Sequence, residues 1–323
     1  PAICMGRNED VAWGLTINIC SQRDLYLEKT SDEHPGAFLF DGEWEPERTL
    51  TETIEVRGSA PVQKTVRFSR NGPLVNELLP KPAAELGPIS LRWLGATFCD
   101  EVTPLLNANR ARSADEFRQA LADWRVPTFN YIFADREGHI GYQAVGRIPI
   151  REGWERGFRK GWDPADQWQA VIPYDRMPSI SDPASGWIRT ANNRNVPEDY
   201  PYPLSGTWAS GHRAERIRHM LEAQPLFSVD DFRRMHYDVR LQRGAAAVPP
   251  LLAVLDRAPT PRRAEAADYL RNWDFRMEKD QVAASIFELF FRHWSKRVAA
   301  ERFAANLVPL MSGVVGGLAL KCL

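Results

Sequence analysis

The hydrophobic pattern of this chain changes its period near residue 220, and this change constrains the fold more than any other feature. Before it, segments such as residues 24–29 alternate polar and apolar side chains, which is typical of half-buried strands. After it, residues 228–235, 264–273 and 281–303 have the apolar spacing and start signals of helices. Strands followed by helices predict an α+β architecture rather than alternating β-α-β units.

Turn and capping residues place individual elements within this outline. Asp41-Gly42 lies between two apolar runs and predicts a hairpin. Residues 129–134 and 140–144 predict a second hairpin, and residues 113–124 a helix that begins at a serine cap. Residues 147–183 are rich in Gly, Pro and Trp, which favours irregular but ordered loops.

Two apolar runs in the second half are expected to be buried. The helix over residues 281–303 is predicted to bury a stripe formed by Val282, Ile286, Leu289, Phe290 and Trp294. The apolar residues 308–323 are fewer than the roughly 20 needed to span a bilayer, and glycines interrupt them. This run therefore predicts a core element rather than a membrane anchor.

Composition excludes several classes of protein. The chain has 323 residues, with 41 Lys and Arg against 42 Asp and Glu, so its formal net charge is −1. Nucleic-acid binders usually carry a basic excess, so we expect no such partner. The four cysteines match neither a disulfide framework nor a zinc or redox spacing, and we interpret them as small hydrophobic residues.

The two ends of the chain suggest a fragment. The sequence begins with Pro1 and ends in an apolar run, whereas the termini of a domain are usually exposed and poorly ordered. We therefore expect that sequence is missing at both ends. Pro1 has no nucleophilic side chain and is a poor candidate for a catalytic base.

Common catalytic motifs are absent from the sequence, but residues 186–197 hold three asparagines within four positions. An amide such as that of Asn192 could donate a hydrogen bond to a developing oxyanion. The alternative is a turn, since asparagine tolerates left-handed backbone geometry. Arg213 opens an amphipathic helix, and the alternative for it is a solvated or salt-bridged side chain.

Several short sequence motifs occur along the chain in a characteristic order. They lie at residues 1–16, 24–28, 130–142, 161–163, 186–193, 199–201, 213–217 and 273–284. Together they resemble the penicillin acylase family of N-terminal-nucleophile (Ntn) amidohydrolases. The resemblance implies part of a four-layer αββα Ntn sandwich with a helical C-terminal half. Residues 1–323 would form one partial β-chain region, strand-rich to about residue 220 and mainly helical over 221–323.

The resemblance also implies a reaction and its site. In this family a precursor cleaves itself to expose an N-terminal Ser, which attacks a linear N-acyl amide. That Ser would lie upstream of Pro1, so this chain would contain no nucleophile and be inactive alone. Asn192 would be the oxyanion side chain, the backbone N–H of Ile17 the second donor, and Arg213 an organising residue. The acyl-pocket positions fall on Met5, Leu15, Trp93 and Phe129, for which ordinary core residues are the alternative.

The resemblance implies a small N-acyl substrate and an α-chain from the same precursor as partners. The sequence itself gives no location, and the resemblance favours the periplasm or the exterior. Asp24 matches one calcium-ligand position of the family, but Ser21 stands where an Asp is expected. Calcium needs several oxygen ligands, so we expect no tight calcium site and no other cofactor. A degenerate, non-catalytic paralogue that binds an acyl ligand or a partner is the alternative to an acylase.

Overall fold

A computed structural model describes residues 2–152 and 157–323. Pro1 and part of the loop-rich region 147–183 lie outside the described residues. The chain divides into two compact units, residues 1–209 and residues 210–323. The named strands belong to the first unit, and the second is built from helices, so the predicted α+β class is confirmed.

The elements have the following bounds. The strands are β1 (Gly6–Arg7), β2 (Val11–Ile17), β3 (Arg23–Leu27), β4 (Ala37–Phe40), β5 (Glu43–Pro46), β6 (Arg48–Ile54), β7 (Val62–Ser69), β8 (Gly72–Pro73), β9 (Ile89–Trp93), β10 (Phe129–Asp135), β11 (Ile140–Val145), β12 (Pro149–Ile150), β13 (Arg159–Lys160), β14 (Ala170–Val171) and β15 (Ser179–Ser181). The helices are α1 (Lys81–Ala84), α2 (Val102–Ala108), α3 (Ala114–Ala120), α4 (His212–Leu221), α5 (Val229–His236), α6 (Gln242–Arg257), α7 (Pro261–Arg271), α8 (Val282–Ala300), α9 (Val308–Met311) and α10 (Gly316–Lys321).

A five-stranded antiparallel sheet in the order β1-β2-β10-β11-β15 organises the first unit. Strand β2 pairs with β10 along its whole length, from Val11 opposite Asp135 to Ile17 opposite Phe129. Smaller sheets are formed by β13-β3-β9, β6-β7-β8, β4-β5 and β12-β14. The two predicted hairpins are confirmed as β4-β5 and β10-β11.

Side chains alternate between the two faces of a strand, and an apolar cluster covers each face of the central sheet. Tyr131 and Phe133 of β10 pack with Phe117 of α3 in one apolar cluster. Tyr142 and Ala144 of β11 belong to a second cluster. The Ser113 hydroxyl caps α3 by accepting from the Glu116 N–H, as the sequence predicted.

Helices α6, α7, α8 and α10 form the core of the second unit. Helix α6 is not predicted by the sequence pattern, because Pro249 and Pro250 lie inside it and proline lacks the N–H of an interior helical hydrogen bond. Its Ala247, Val248 and Leu251 are buried in the cluster, so packing against neighbouring helices compensates for the lost hydrogen bonds.

The buried face of α8 lies about one residue further along the chain than the sequence pattern predicts, so that prediction is wrong. Val282 and Leu289 are exposed, and the buried residues are Ala283, Ala284, Phe287, Phe291, Ser295, Val298 and Ala299. Ile286, Phe290 and Trp294 are only partly buried at the margin of the cluster. The helix carries two apolar stripes side by side, and the one with small alanines allows the close approach of its neighbours.

The apolar C-terminal run forms α9 and α10, with Val308, Val315 and Ala319 buried as a core element should be. The Trp294 indole N–H donates to the Ala319 carbonyl at 2.8 Å and fixes α10 on α8. Among the described residues, every helix is too short or too polar to traverse a lipid bilayer.

The corrected face of α8 can be tested by two matched truncations. Phe287→Ala is expected to reduce the free energy of unfolding by about 3–5 kcal/mol, because the ring is fully buried against Trp273 and Phe291. Leu289→Ala removes a side chain that is 58% exposed and should change it by no more than about 0.5 kcal/mol. Urea titration of both variants measures the two changes in the free energy of unfolding. A larger loss for Leu289→Ala than for Phe287→Ala would show that the stripe predicted from the sequence is the buried one.

Candidate active site

The C-terminal end of β2 presents its backbone at an edge of the central sheet. Asn18 N–H donates to Thr128 O at 3.1 Å, so these two residues form a hydrogen-bonded pair across β2 and β10. Such pairs alternate with non-hydrogen-bonded pairs along an antiparallel ladder. Ile17 and Phe129 are the adjacent pair, so the N–H and C=O of Ile17 point away from β10. Strand β1 covers β2 only at Ala12 and Trp13.

Asn192 meets β2 at this same edge. Its side-chain Nδ2 donates to the Ile17 carbonyl oxygen at 2.8 Å, across 175 positions of sequence. Its backbone has φ +60°, and its carbonyl accepts from the Ala209 N–H at 2.8 Å. Asn192 therefore has the left-handed geometry that the turn interpretation expects, and its amide contacts the backbone of β2.

A buried polar network holds the Asn192 segment on the sheet. Asn130 is fully buried on β10, and its Oδ1 accepts from the Tyr142 hydroxyl at 2.8 Å and from Asn195 Nδ2 at 3.0 Å. Asn130 Nδ2 donates to the Thr16 hydroxyl at 3.2 Å, which in turn donates to the Thr190 hydroxyl at 2.8 Å. The network thus fixes the segment on both sides of Asn192.

A cleft of about 570 Å³ opens beside the end of β2. Its lining comprises Ile17, Ile19, Cys20, Ser21, Gln22, Arg23, Asp24, Trp93, Pro127, Thr128, Ser205, Gly206 and Thr207. Ile19 has φ +60°, which is costly for a β-branched residue and turns the chain sharply just after Ile17. The cleft therefore brings together three of the candidate site residues named from the sequence, Ile17, Asp24 and Trp93.

The other expected acyl-pocket residues lie in different surroundings. Leu15 and Phe129 are partly buried and pack against the apolar cluster that contains Phe117. Met5 is exposed and directly precedes β1. The surroundings of Leu15 and Phe129 match the alternative of ordinary core packing, whereas Trp93 is 45% exposed at the cleft.

Asp24 forms an ion pair rather than part of an acidic cluster. Its Oδ2 lies 2.7 Å from Arg151 Nε and accepts from the Trp168 indole N–H at 2.6 Å. Burial raises the pKa of Asp24, while the charge of Arg151 and the Trp168 hydrogen bond act in the opposite direction. A guanidinium already supplies the positive charge here, so these residues do not fit a calcium ion. Among the described residues, no group of three or more His, Cys, Asp or Glu side chains could hold a metal.

Arg213 belongs to the second unit, in the first turn of α4, where its side chain is exposed. One turn further along, Arg216 forms a two-pronged ion pair with Asp238, with both N–O distances at 2.8 Å. Paired hydrogen bonds of this kind raise the pKa of Arg216 and lower that of Asp238. Arg216 therefore anchors α4 to the segment after α5.

Cys20 contributes a thiol to the lining of the cleft, and from the sequence we interpret this cysteine as a small hydrophobic residue. It is buried, and its thiol donates weakly to Asn18 Oδ1 at 3.6 Å. Burial raises its pKa to about 12, so the thiol stays protonated at neutral pH, and the thiolate is the reactive form. The role of Cys20 is to pack in the second cluster of the sheet.

The cysteines should differ sharply in their reactivity. At pH 8, iodoacetamide is expected to alkylate the exposed Cys4 and to leave Cys20 unmodified in the folded protein. Peptide mass spectrometry before and after denaturation measures this, because Cys20 should react once the protein is unfolded. Alkylation of both residues at similar rates in the folded state would contradict the assignment.

Sequence reasoning missed Arg151 and the network of Thr16, Asn130, Tyr142 and Asn195. Arg151 lies in a loop-rich stretch where an arginine is expected at the surface. The one usable signal was Asn130, a polar residue in an otherwise apolar strand, where burial requires a hydrogen-bonding partner. The identity of that partner depends on the tertiary fold.

Comparison with known proteins identifies a family and several relatives that this chain resembles. Residues 1–317 match the family described as penicillin amidase. The chain is 30% identical to the acyl-homoserine lactone acylase QuiP of Pseudomonas aeruginosa over 98% of this chain and 40% of that protein. It is 31% identical to the penicillin acylase 2 proenzyme of a Pseudomonas species over 91% and 37% of the two chains.

A solved structure of an acylase has a similar fold. Thermostable penicillin G acylase from Alcaligenes faecalis superposes with a TM-score of 0.78 over 97% of this chain and 57% of that one, at 23% identity. This likeness confirms the fold expected from the motifs. The chain spans about two fifths of the length of the two curated relatives.

Proposed function

Because this chain belongs to the penicillin amidase family, we propose that the protein containing it is an acylase that hydrolyses a linear amide between an acyl group and an amine. The observation that carries this proposal is the contact between the Asn192 amide and Ile17 at the edge of β2. The cleft lined by Ile17 and Trp93 lies beside that contact.

The Asn192 amide and the Ile17 N–H act as the oxyanion donors. Both groups lie at the edge of β2 that faces away from β10, where the Asn192 amide bonds to the Ile17 carbonyl. Donors held in place before the reaction stabilise the negative oxygen of the tetrahedral intermediate more than the neutral substrate carbonyl. The network around Asn130 keeps the Asn192 segment in position.

The nucleophile is an N-terminal Ser contributed from outside residues 1–323. Its free α-amino group takes the hydroxyl proton as the oxygen attacks the substrate carbonyl carbon. The tetrahedral intermediate collapses, the C–N bond breaks, and the leaving amine receives that proton. Water then attacks the acyl-enzyme ester, and its proton returns to the serine oxygen as the acid is released.

The substrate class follows from the cleft and the relatives. Ile17, Ile19 and Trp93 give the cleft an apolar wall, which suits the acyl part of a small N-acyl compound. The relatives are named as acylases of acyl-homoserine lactones and penicillins, and both are such compounds. An α-chain from the same precursor completes the pocket, and Arg213 takes the organising role that the family resemblance implies.

The role of Asn192 can be tested with a glycine substitution. In the full-length protein, Asn192→Gly removes the amide, and glycine accepts the φ of +60° without strain. We expect kcat to fall by about 10²–10³ with little change in Tm, because one oxyanion donor is lost. Asn193→Ala is the matched control, since its amide bonds to the neighbouring Ala191 and Arg194 backbone, and its kcat should change only a few-fold. Equal rates for wild type and Asn192→Gly would refute the assignment.

The reaction itself is tested on the purified full-length protein. N-terminal sequencing and intact mass should show a processed chain that begins with Ser and includes residues 1–323. Release of free amine from N-acyl-homoserine lactones and from phenylacetyl amides should follow. An unprocessed protein that binds these compounds without releasing amine would instead establish the non-catalytic paralogue.

A further inference from the structure

Arg151 has the largest fully buried side chain of the described residues, with 2% of its surface exposed. It directly follows β12 and lies among segments that also line the cleft. Moving a guanidinium out of water costs several kcal/mol unless its charge and its donors find partners. The fold must therefore provide partners for the buried guanidinium of Arg151.

Four oxygen atoms surround this guanidinium. Asp24 Oδ2 lies 2.7 Å from Nε, the Pro149 carbonyl accepts from one terminal nitrogen at 3.1 Å, and the other donates to the Ser21 carbonyl at 3.0 Å and the Ser205 hydroxyl at 2.7 Å. One carboxylate, two backbone carbonyls and a hydroxyl form the kind of donor set that a calcium ion takes in proteins.

These oxygen atoms come from three segments that are distant in sequence. Asp24 lies in β3, Ser21 just before that strand, and Pro149 in β12. Ser205 comes from a third segment, and its carbonyl also accepts from the Ser21 N–H at 2.8 Å. The guanidinium of Arg151 therefore links three segments, two of which line the cleft. The side chain supplies a positive charge, and its N–H groups donate to oxygen atoms that could otherwise serve as metal ligands.

We propose that Arg151 is a built-in cation that replaces a structural calcium ion, so that this protein folds independently of calcium. A guanidinium and a calcium ion cannot share these oxygens, because two positive charges a few ångströms apart repel each other strongly in a buried site. The nearby buried guanidinium of Arg159 adds further positive charge, which makes the site still less suited to a metal. The proposal does not depend on the acylase activity.

The first experiment uses the full-length wild-type protein. Its Tm is expected to be the same in about 10 mM CaCl2 and in excess chelator, and elemental analysis after gel filtration should find no stoichiometric calcium. A calcium-dependent Tm, or one bound calcium per chain, would overturn the proposal.

The second experiment removes the arginine. Arg151→Ala should lower the Tm by roughly 10 °C in chelator, because it leaves Asp24 buried without its cation. Calcium at about 10 mM should then restore roughly 5 °C or more, as expected for a weak oxygen-ligand site. An unchanged Tm for Arg151→Ala would overturn the proposal, as would a lowered Tm that does not respond to calcium.

The matched controls separate this site from general effects of calcium. Arg151→Ala with Asp24→Ala lacks the carboxylate and should lose the calcium response. Ser21→Asp alone keeps the guanidinium and should gain none, whereas Arg151→Ala with Ser21→Asp should bind calcium more tightly than Arg151→Ala. A calcium response in the variant that lacks Asp24 would contradict the assignment. Should the arginine variants fail to fold, the wild-type calcium measurements still decide the question.

Discussion

The antiparallel pairing of β2 with β10 is the constraint on which the candidate site depends. A register fixes which residues form hydrogen-bonded pairs, and here it directs the N–H and C=O of Ile17 away from β10. A slip by one residue would move every side chain of β2 to the opposite face of the sheet. The buried residues Val11 and Trp13 of β2 hold the register, since the slip would remove them from the apolar cluster that contains Phe117.

The same strands carry a polar network into a region that is otherwise apolar. Asn130 bonds to Tyr142, Thr16 and Asn195, and each of these groups would be costly to bury without a partner. Burial also raises the pKa of Tyr142 well above its ordinary value, so its hydroxyl remains a donor to Asn130. The polar contacts therefore specify one position for the segment that bears Asn192, which apolar packing alone would not do.

Local sequence signals predicted the elements that satisfy their own hydrogen bonds. The Asp41-Gly42 turn, the Ser113 cap and the helix start at Ser228 each form within a few residues, and all occur in the structure. Signals failed where distant packing outweighs local preference. Helix α6 contains two prolines, and α8 buries Phe287 rather than the neighbouring apolar stripe.

The sequence by itself determined the α+β class, the main hairpins, most helices of the second unit, and the family to which the chain belongs. It also named Asn192, Ile17 and Trp93 as candidate site residues, through the resemblance to the family. Only the tertiary structure decided that the Asn192 amide meets Ile17 and that Arg151 fills an oxygen-lined site at Asp24. Both contacts join residues more than 100 positions apart, and periodicity and spacing carry no information about such contacts.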